Sequence, residues 1–218
     1  MEIKVLKDIL GANEQIAERN RKLLDSHGVF AVNLMSSPGA GKTSLILETI
    51  KRLKGKPKIG VIEGDVSSSI DAETIGKEGV PVVQVNTGGE CHLEARMAHN
   101  ALNNLPLQDI EILIIENVGN LICPAEFTLG EHKKVLISSI PEGEDKPFKY
   151  PLMFHEADVV LINKIDLLPY LRFDIETFSQ AIKGINEKVE ILQISCFTGQ
   201  GIERWVSWLL NQISKRPD

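Results

Sequence analysis

The sequence has 218 residues, 43% hydrophobic and 25% charged, which excludes general disorder and gives enough chain for a buried core without disulfide staples. A net charge of -6 and only two Trp, two Tyr and seven Phe make a poor nucleic-acid binder, because phosphate affinity needs Lys and Arg and single strands need stacking platforms. Three cysteines, Cys91, Cys123 and Cys196, are too few and odd in number for a disulfide scaffold, and they fit a reducing compartment.

The first residues mix both charges and show no cleavage site, so no signal peptide is expected, and no run approaches the ~18 apolar residues of a membrane span. A soluble cytoplasmic protein with no membrane or nucleic-acid partner is the expectation. Residues 3–24 form an amphipathic helical pattern with Ile9, Ile16 and Leu23 seven apart. It reads as a cap on the body that follows, or as a helix that docks a partner. The expected division is a helical extension over residues 1–27 and one domain over 28–218.

From Val29 onward, short apolar runs alternate with helical patterns. The runs are 29–35, 58–62, 80–85, 110–115, 134–138, 159–162 and 189–194. Brief, β-branched and nearly continuously apolar, they suit strands buried on both faces. Helices are expected over 43–53, 90–105, 175–185 and 201–213. This alternation implies an α/β fold, a mostly parallel β-sheet flanked by α-helices. Residues 141–151, rich in proline and charge, read as a surface loop.

Ser36 to Thr43 follows the first strand and opens a helix, the context of a P-loop. Pro38, Gly39, Ala40 and Gly41 curl the backbone around an anion, and the helix start adds its dipole. Lys42 reaches the outer phosphates, Thr43 offers a hydroxyl to Mg²⁺, and Ser44 follows in the first turn. The pattern G-x-x-x-x-G-K-[ST] is broken once, by Ser36 in place of its first glycine.

Asn163-Lys164-Ile165-Asp166 ends the sixth run. A carboxylate at Asp166 can accept from both the ring N–H and the amine of guanine, and adenine would leave it unpaired at ~1–3 kcal/mol or more. Asn163 braces the loop and the stem of Lys164 covers the base. Ser195 and Cys196 follow the seventh run, where a backbone N–H would meet the guanine oxygen. These features select GTP over ATP.

Glu116 ends the fourth run and is the expected Mg²⁺-side carboxylate, with Gly119 three residues on. Asp65 ends the second run and is the first candidate to orient the attacking water. Asp71, placed in a loop, is the candidate for Mg²⁺ or its water shell, and the two roles are interchangeable at this level. Cys91 and His92 follow the third run, and Cys123 lies seven residues after Glu116. All leave strands at one sheet edge, so the three side chains could meet. Thiolate and imidazole suit Zn²⁺ or Ni²⁺ better than Mg²⁺. Three ligands do not complete a tetrahedron, so such a site stays open, gains a ligand, or is shared across a two-fold axis. The alternative is that these cysteines are structural. His99 falls on the same helical pattern two turns after His92.

Together, Ser36–Thr43, Glu63-Gly64-Asp65, Gly89-Glu90-Cys91-His92, Glu116–Cys123 and Asn163–Asp166 resemble the hydrogenase nickel-incorporation GTPases, the HypB family, over roughly residues 28–215. The resemblance implies a P-loop NTPase fold of the dimeric GTPase type, and a slow GTPase that helps deliver nickel to [NiFe] hydrogenase. It implies a homodimer formed on GTP binding, with Cys91, His92 and Cys123 as interface ligands for Ni²⁺ or Zn²⁺. It also implies two partners, a nickel-carrying accessory protein and the hydrogenase large subunit precursor. The N-terminal Cys-x-x-Cys and His-rich tract of some members do not occur in this sequence, which points to nickel supplied by a separate partner. Lys146 or Lys149 would reach a neighbour's nucleotide. The rival readings are a urease-type nickel-insertion GTPase, a P-loop kinase, and a GTP-dependent interaction switch with structural cysteines.

Overall fold

Seven apolar runs become seven parallel strands. They are β1 (Phe30–Ser36), β2 (Ile59–Asp65), β3 (Val82–Asn86), β4 (Ile112–Glu116), β5 (Lys133–Ser139), β6 (Val159–Asn163) and β7 (Glu190–Gln193). Their order in the sheet is β3-β2-β4-β1-β5-β6-β7, and every neighbouring pair is parallel. This computed structural model describes residues 2–66 and 68–214, with side chains from residue 10 onward.

Both faces of the sheet are covered, which is why the strands read as continuous apolar runs. One face carries α2 (Lys42–Leu53), α3 (Ile70–Gly76) and α9 (Ile202–Ser214). Leu45, Ile46 and Ile50 of α2 and Trp205 of α9 pack there on Val32, Leu34, Val61 and Ile114. The Trp205 indole donates to Thr49 Oγ1 at 2.8 Å, so the large ring is buried with its polar atom satisfied.

The other face is covered in two halves. α1 (Glu2–Ser26) and α4 (Ala95–Leu102) close one half over Ala31, Ile62, Leu113 and Ile115. α7 (Pro151–Glu156) and α8 (Ile175–Ile185) close the other over Met35, Leu136, Val160 and Ile162. The short α5 (Cys123–Glu126) joins this second half through the buried Ala125. Each fully buried Leu, Ile or Phe contributes about 1.5–3 kcal/mol, so these layers carry the stability.

Three expectations are corrected. The helical pattern over 90–105 starts later than expected, since α4 begins at Ala95. Gly88 and Gly89 stand at φ +65° and +107°, which keeps the preceding segment out of a helix. Residues 141–151 are not a plain loop, since they contain a 3₁₀ turn (Ile140–Glu142), α6 (Lys146–Lys149) and the start of α7. Each begins with a proline in its first turn, where the missing N–H costs nothing. Asp71 lies in the first turn of α3, not in a loop.

α1 docks through a different stripe from the apolar one. Its buried line is Asn13, Ala17, Asn20 and Leu24, whereas Ile16 and Leu23 are half-buried and the Ile9 side chain lies outside the described ones. Asn20 Nδ2 donates to the carbonyls of Ala95 and Leu129, both at 2.8 Å. Asn13 accepts from Ala95 N and donates to the Thr128 carbonyl. His99 pairs its Nδ1 with Asn20 Oδ1 at 2.9 Å, and His92 precedes α4, so the two histidines do not share a helix.

Candidate nucleotide and metal site

The strands are parallel, so β1, β2, β4 and β6 deliver their carboxyl ends to one edge, the usual place for a ligand in such folds. A cavity of about 530 Å³ opens there between the P-loop and the loops after β2 and β4. Gly39, Gly41, Lys42, Thr43, Asp65, Asp71 and Glu116 all line it, together with Glu63.

The P-loop is already formed. Gly41 stands at φ +107° and caps α2, and a Cβ on it would come within 2.5 Å of Asn163 Nδ2. The buried Lys42 ammonium donates to Ser36 Oγ at 3.1 Å. The residue that breaks the P-loop pattern therefore holds its lysine. Burial lowers the Lys42 pKa, and the carboxylates of Glu116, Asp71 and Glu63 oppose that shift. Ser37 Oγ donates to Glu142 Oε1, which ties the loop after β5 to the P-loop.

Thr43 Oγ1 donates to Glu116 Oε1 at 2.9 Å, which brings together the two residues expected to flank Mg²⁺. Burial pushes the Glu116 carboxyl up to about 7, with Lys42 pulling the other way. Glu116 Oε2 is buried without a hydrogen-bond partner. An orphaned carboxylate oxygen beside a threonine hydroxyl fits a hard divalent cation. Asp65 Oδ1 accepts from Ser68 N at 2.9 Å, so this carboxylate also shapes its own turn. Gly119 packs on the P-loop so closely that a Cβ would stand 2.9 Å from Pro38 Cα.

The base-side loops are joined through one amide. Asn163 Nδ2 donates to the Ala40 carbonyl at 2.8 Å. Asn163 Oδ1 accepts from Lys164 N and Cys196 N at 2.8 and 3.2 Å. Lys164, at φ +63°, sends Nζ to the Gly39 carbonyl. Ser195 Oγ donates to Asp166 Oδ1 at 2.5 Å, while Ser195 N donates to the Gln200 carbonyl. The backbone N–H groups of Ser195 and Cys196 thus both have acceptors within the protein. These two residues hold Asp166 and Asn163 in place. Burial pushes the Cys196 thiol up to about 12, so it stays protonated.

Cys91, His92 and Cys123 come together, with ligand atoms all within 4.8 Å of one another. Cys91 Sγ lies 3.2 Å from Cys123 Sγ and 3.8 Å from His92 Nδ1. The Cys91 thiol beside it raises the Cys123 pKa. The His92 ring packs against Phe127 at 4.2 Å between centroids, and its buried Nε2 has no hydrogen-bond partner. Two sulfurs and an imidazole at this spacing could hold a borderline-soft metal ion. Asn120 Nδ2 donates to the Cys91 carbonyl at 3.2 Å, and Asn117 Oδ1 accepts from Leu93 N at 3.0 Å. The loop after β4 therefore grips the Cys91–His92 segment at two points. Lys146 and Lys149 both pair with Asp145 in their own loop.

Residues 30–193 match the family model for the CobW/HypB/UreG nucleotide-binding domain. The hydrogenase maturation factor HypB of Escherichia coli (strain K12) is 49% identical over 96% of this chain and 72% of its own length. The chain belongs to the HypB family of hydrogenase maturation factors. Like the rest of the CobW/HypB group, it is a P-loop GTPase. Two HypB crystal structures share its fold. That from Archaeoglobus fulgidus is 40% identical with a TM-score of 0.88, covering 93% of this chain and 99% of its own. That from Helicobacter pylori, in complex with nickel, is 35% identical with a TM-score of 0.90, covering 94% and 96%. Among the described residues, no helix is long and apolar enough to cross a membrane.

In this HypB-family chain, three polar residues that the site uses have no role in the sequence reading. Glu63 enters there only as part of a motif, yet it is buried at the cavity wall with Oε2 unpartnered. Asn117 and Asn33 form a buried link, with Asn117 Nδ2 donating to Asn33 Oδ1 at 3.2 Å. A polar side chain inside an apolar strand run is the available signal for both Glu63 and Asn33.

Proposed function

We propose that this protein couples GTP binding and hydrolysis to the capture and release of Ni²⁺ for [NiFe] hydrogenase, with GTP-dependent homodimerisation completing the metal site. The observation that carries the reading is the approach of Cys91 Sγ and Cys123 Sγ to 3.2 Å, with Cys123 on the loop that begins at Glu116. One loop thus carries a nucleotide-site carboxylate at one end and a metal ligand at the other.

In this reading Pro38 to Ser44 cradle the phosphates and Asp166 accepts from guanine. Thr43, Glu116 and Asp71 hold Mg²⁺, which neutralises charge on the phosphates. Asp65 orients the water that attacks the γ-phosphorus, and Lys42 stabilises charge on the transferred group. Loss of the γ-phosphate frees the loops after Asp65 and Glu116, and the second of these moves Cys123. Cys91, His92 and Cys123 bind the cargo, Ni²⁺ with Zn²⁺ as competitor. The segment 1–27, which contains α1, is an extension of the GTPase domain of residues 28–218, and the action is cytoplasmic. The relatives' role as hydrogenase maturation factors supports a nickel-carrying accessory protein and a hydrogenase large subunit precursor as partners.

The test titrates Ni²⁺ into the protein with GDP and with a non-hydrolysable GTP analogue while molecular mass is followed. The analogue is expected to produce a dimer and to change the affinity of a site that Cys91→Ala and Cys123→Ala both lose. If both variants bind Ni²⁺ as the parent does, the metal assignment is wrong and the protein is a GTP switch acting through another surface. Asp166→Ala should lower GTP affinity by about 3–6 kcal/mol, two hydrogen bonds to a charged group, and erase the preference over ATP.

A further inference from the structure

Glu63 is the cavity residue that the nucleotide reading leaves without a task. Alternation along β2 sends Val61, Glu63 and Asp65 toward the face of α2, while Ile62 and Gly64 face the opposite cluster. Leu93 lies over Gly64 on that other side, 2.8 Å from where a Cβ would stand. Glu63 is also level with Glu116, its Cα partner on β4. The two carboxylates therefore stand side by side on adjacent strands, facing the P-loop.

Both are deeply buried, Glu63 at 1% exposure and Glu116 at 4%, and each keeps one oxygen without a hydrogen-bond partner. Every other position in the middle of β2 holds an apolar side chain or glycine. A buried carboxylate with a free oxygen costs several kcal/mol unless something in the cavity satisfies it. Four carboxylates, Glu63, Asp65, Asp71 and Glu116, face one lysine, Lys42, along the cavity wall. Once ionised, such a wall repels a triphosphate unless a divalent cation stands between. Mg²⁺ takes few protein ligands and keeps several waters, and those waters need acceptors. Thr43 and Glu116 are joined on one side of the cavity by their hydrogen bond, and Glu63 offers its unspent oxygen beside them.

We propose that Glu63 is a positioning residue for the Mg²⁺ of the nucleotide complex, its free oxygen accepting hydrogen bonds from waters on the ion. The proposal rests on the reading of this cavity as a Mg²⁺–GTP site and adds a determinant of how tightly the ion is held. Glu63 touches neither the nucleotide nor the ion, so its effect appears in the Mg²⁺ dependence of nucleotide retention.

The experiment follows release of a fluorescent GDP analogue from the full chain as Mg²⁺ is titrated, for the parent, Glu63→Gln, Glu63→Leu, Glu63→Asp and Thr43→Val. Glu63→Gln and Glu63→Leu are expected to raise the Mg²⁺ concentration that half-slows release by about tenfold, the usual cost of losing an outer-shell partner. Release without Mg²⁺ should stay within about twofold of the parent, and Glu63→Asp should recover part of the shift. A purely structural role would alter release equally with and without the ion. Should the Glu63→Gln and Glu63→Leu midpoints match the parent while Thr43→Val moves, Glu63 has no part in holding Mg²⁺ and the cavity reading survives. If the parent itself releases the analogue independently of Mg²⁺, or Thr43→Val has no effect, the cavity reading fails and this proposal with it. Glu63→Gln keeps the shape of the side chain and decides the matter if Glu63→Leu does not fold.

Discussion

Glu63 and Glu116 both hold protons more tightly in the folded chain than in the unfolded one. Burial raises them from an ordinary 4.5 to about 8 and about 7. For such groups the native state binds more protons across that window, so stability falls as pH rises through it. The nucleotide-free and cation-free protein should therefore show urea midpoints that decline from about pH 5 to about pH 8. Glu63→Gln should flatten the upper part of that decline, and Mg²⁺ with GDP should offset it. A midpoint that rises with pH in the nucleotide-free parent would contradict this account. At this scale the sequence is legible where a residue's chemistry is rare at its position, as with Lys42, which follows a glycine loop and lines the cavity. It is less legible where a side chain serves another side chain. Ser195 and Cys196 are expected beside the base from their place after the seventh run, but the bonds of Ser195 to Asp166 and Gln200 and of Cys196 to Asn163 leave no mark in the sequence. Such second-hand roles depend on three-dimensional neighbours far apart in sequence.

Strand positions are legible because burial on both faces demands unbroken apolar runs, and all seven runs are strands. Helix boundaries are less so. The apolar spacing of residues 90–105 extends across the point where Asn13 and Asn117 pin Ala95 and Leu93 by their backbone N–H groups. For α1 the apolar stripe suggests a docking face one position away from the line that docks. Two asparagines define that line, and amides carry no periodic apolar signal. Asn20 is fully buried and satisfies two backbone carbonyls. Asn20→Ala should cost about 3 kcal/mol, since each orphaned buried group carries ~1–3 kcal/mol. A lower urea midpoint, with protease cleavage appearing first in α1, is the expected result, and an unchanged midpoint would show that apolar packing alone holds the helix.

At the scale of the whole molecule, the loop after β4 touches both halves of the proposed mechanism. Gly119 lies on the P-loop, Asn120 holds the Cys91 carbonyl, and Cys123 meets Cys91. If a GTP analogue changes Ni²⁺ affinity by some factor, Ni²⁺ must change affinity for the analogue by the same factor, typically about 5- to 150-fold. Asn120→Ala removes the tie without removing a ligand. The coupling factor should fall toward one while each ligand, measured alone, binds within about threefold of the parent. Equal coupling in parent and variant would place the connection elsewhere.

The amide of Asn163 has a consequence of another kind. By holding Ala40, Lys164 and Cys196 at once, it fixes the span between the proposed cradle for phosphate and the proposed grip on the base. In the proposed function the chain then carries a ruler as well as two chemical readers. Guanine alone or pyrophosphate alone satisfies one end and leaves the other empty. A ligand that joins both ends at the right length gains the second contact as an intramolecular step, at an effective concentration that no mixture of the separate pieces supplies.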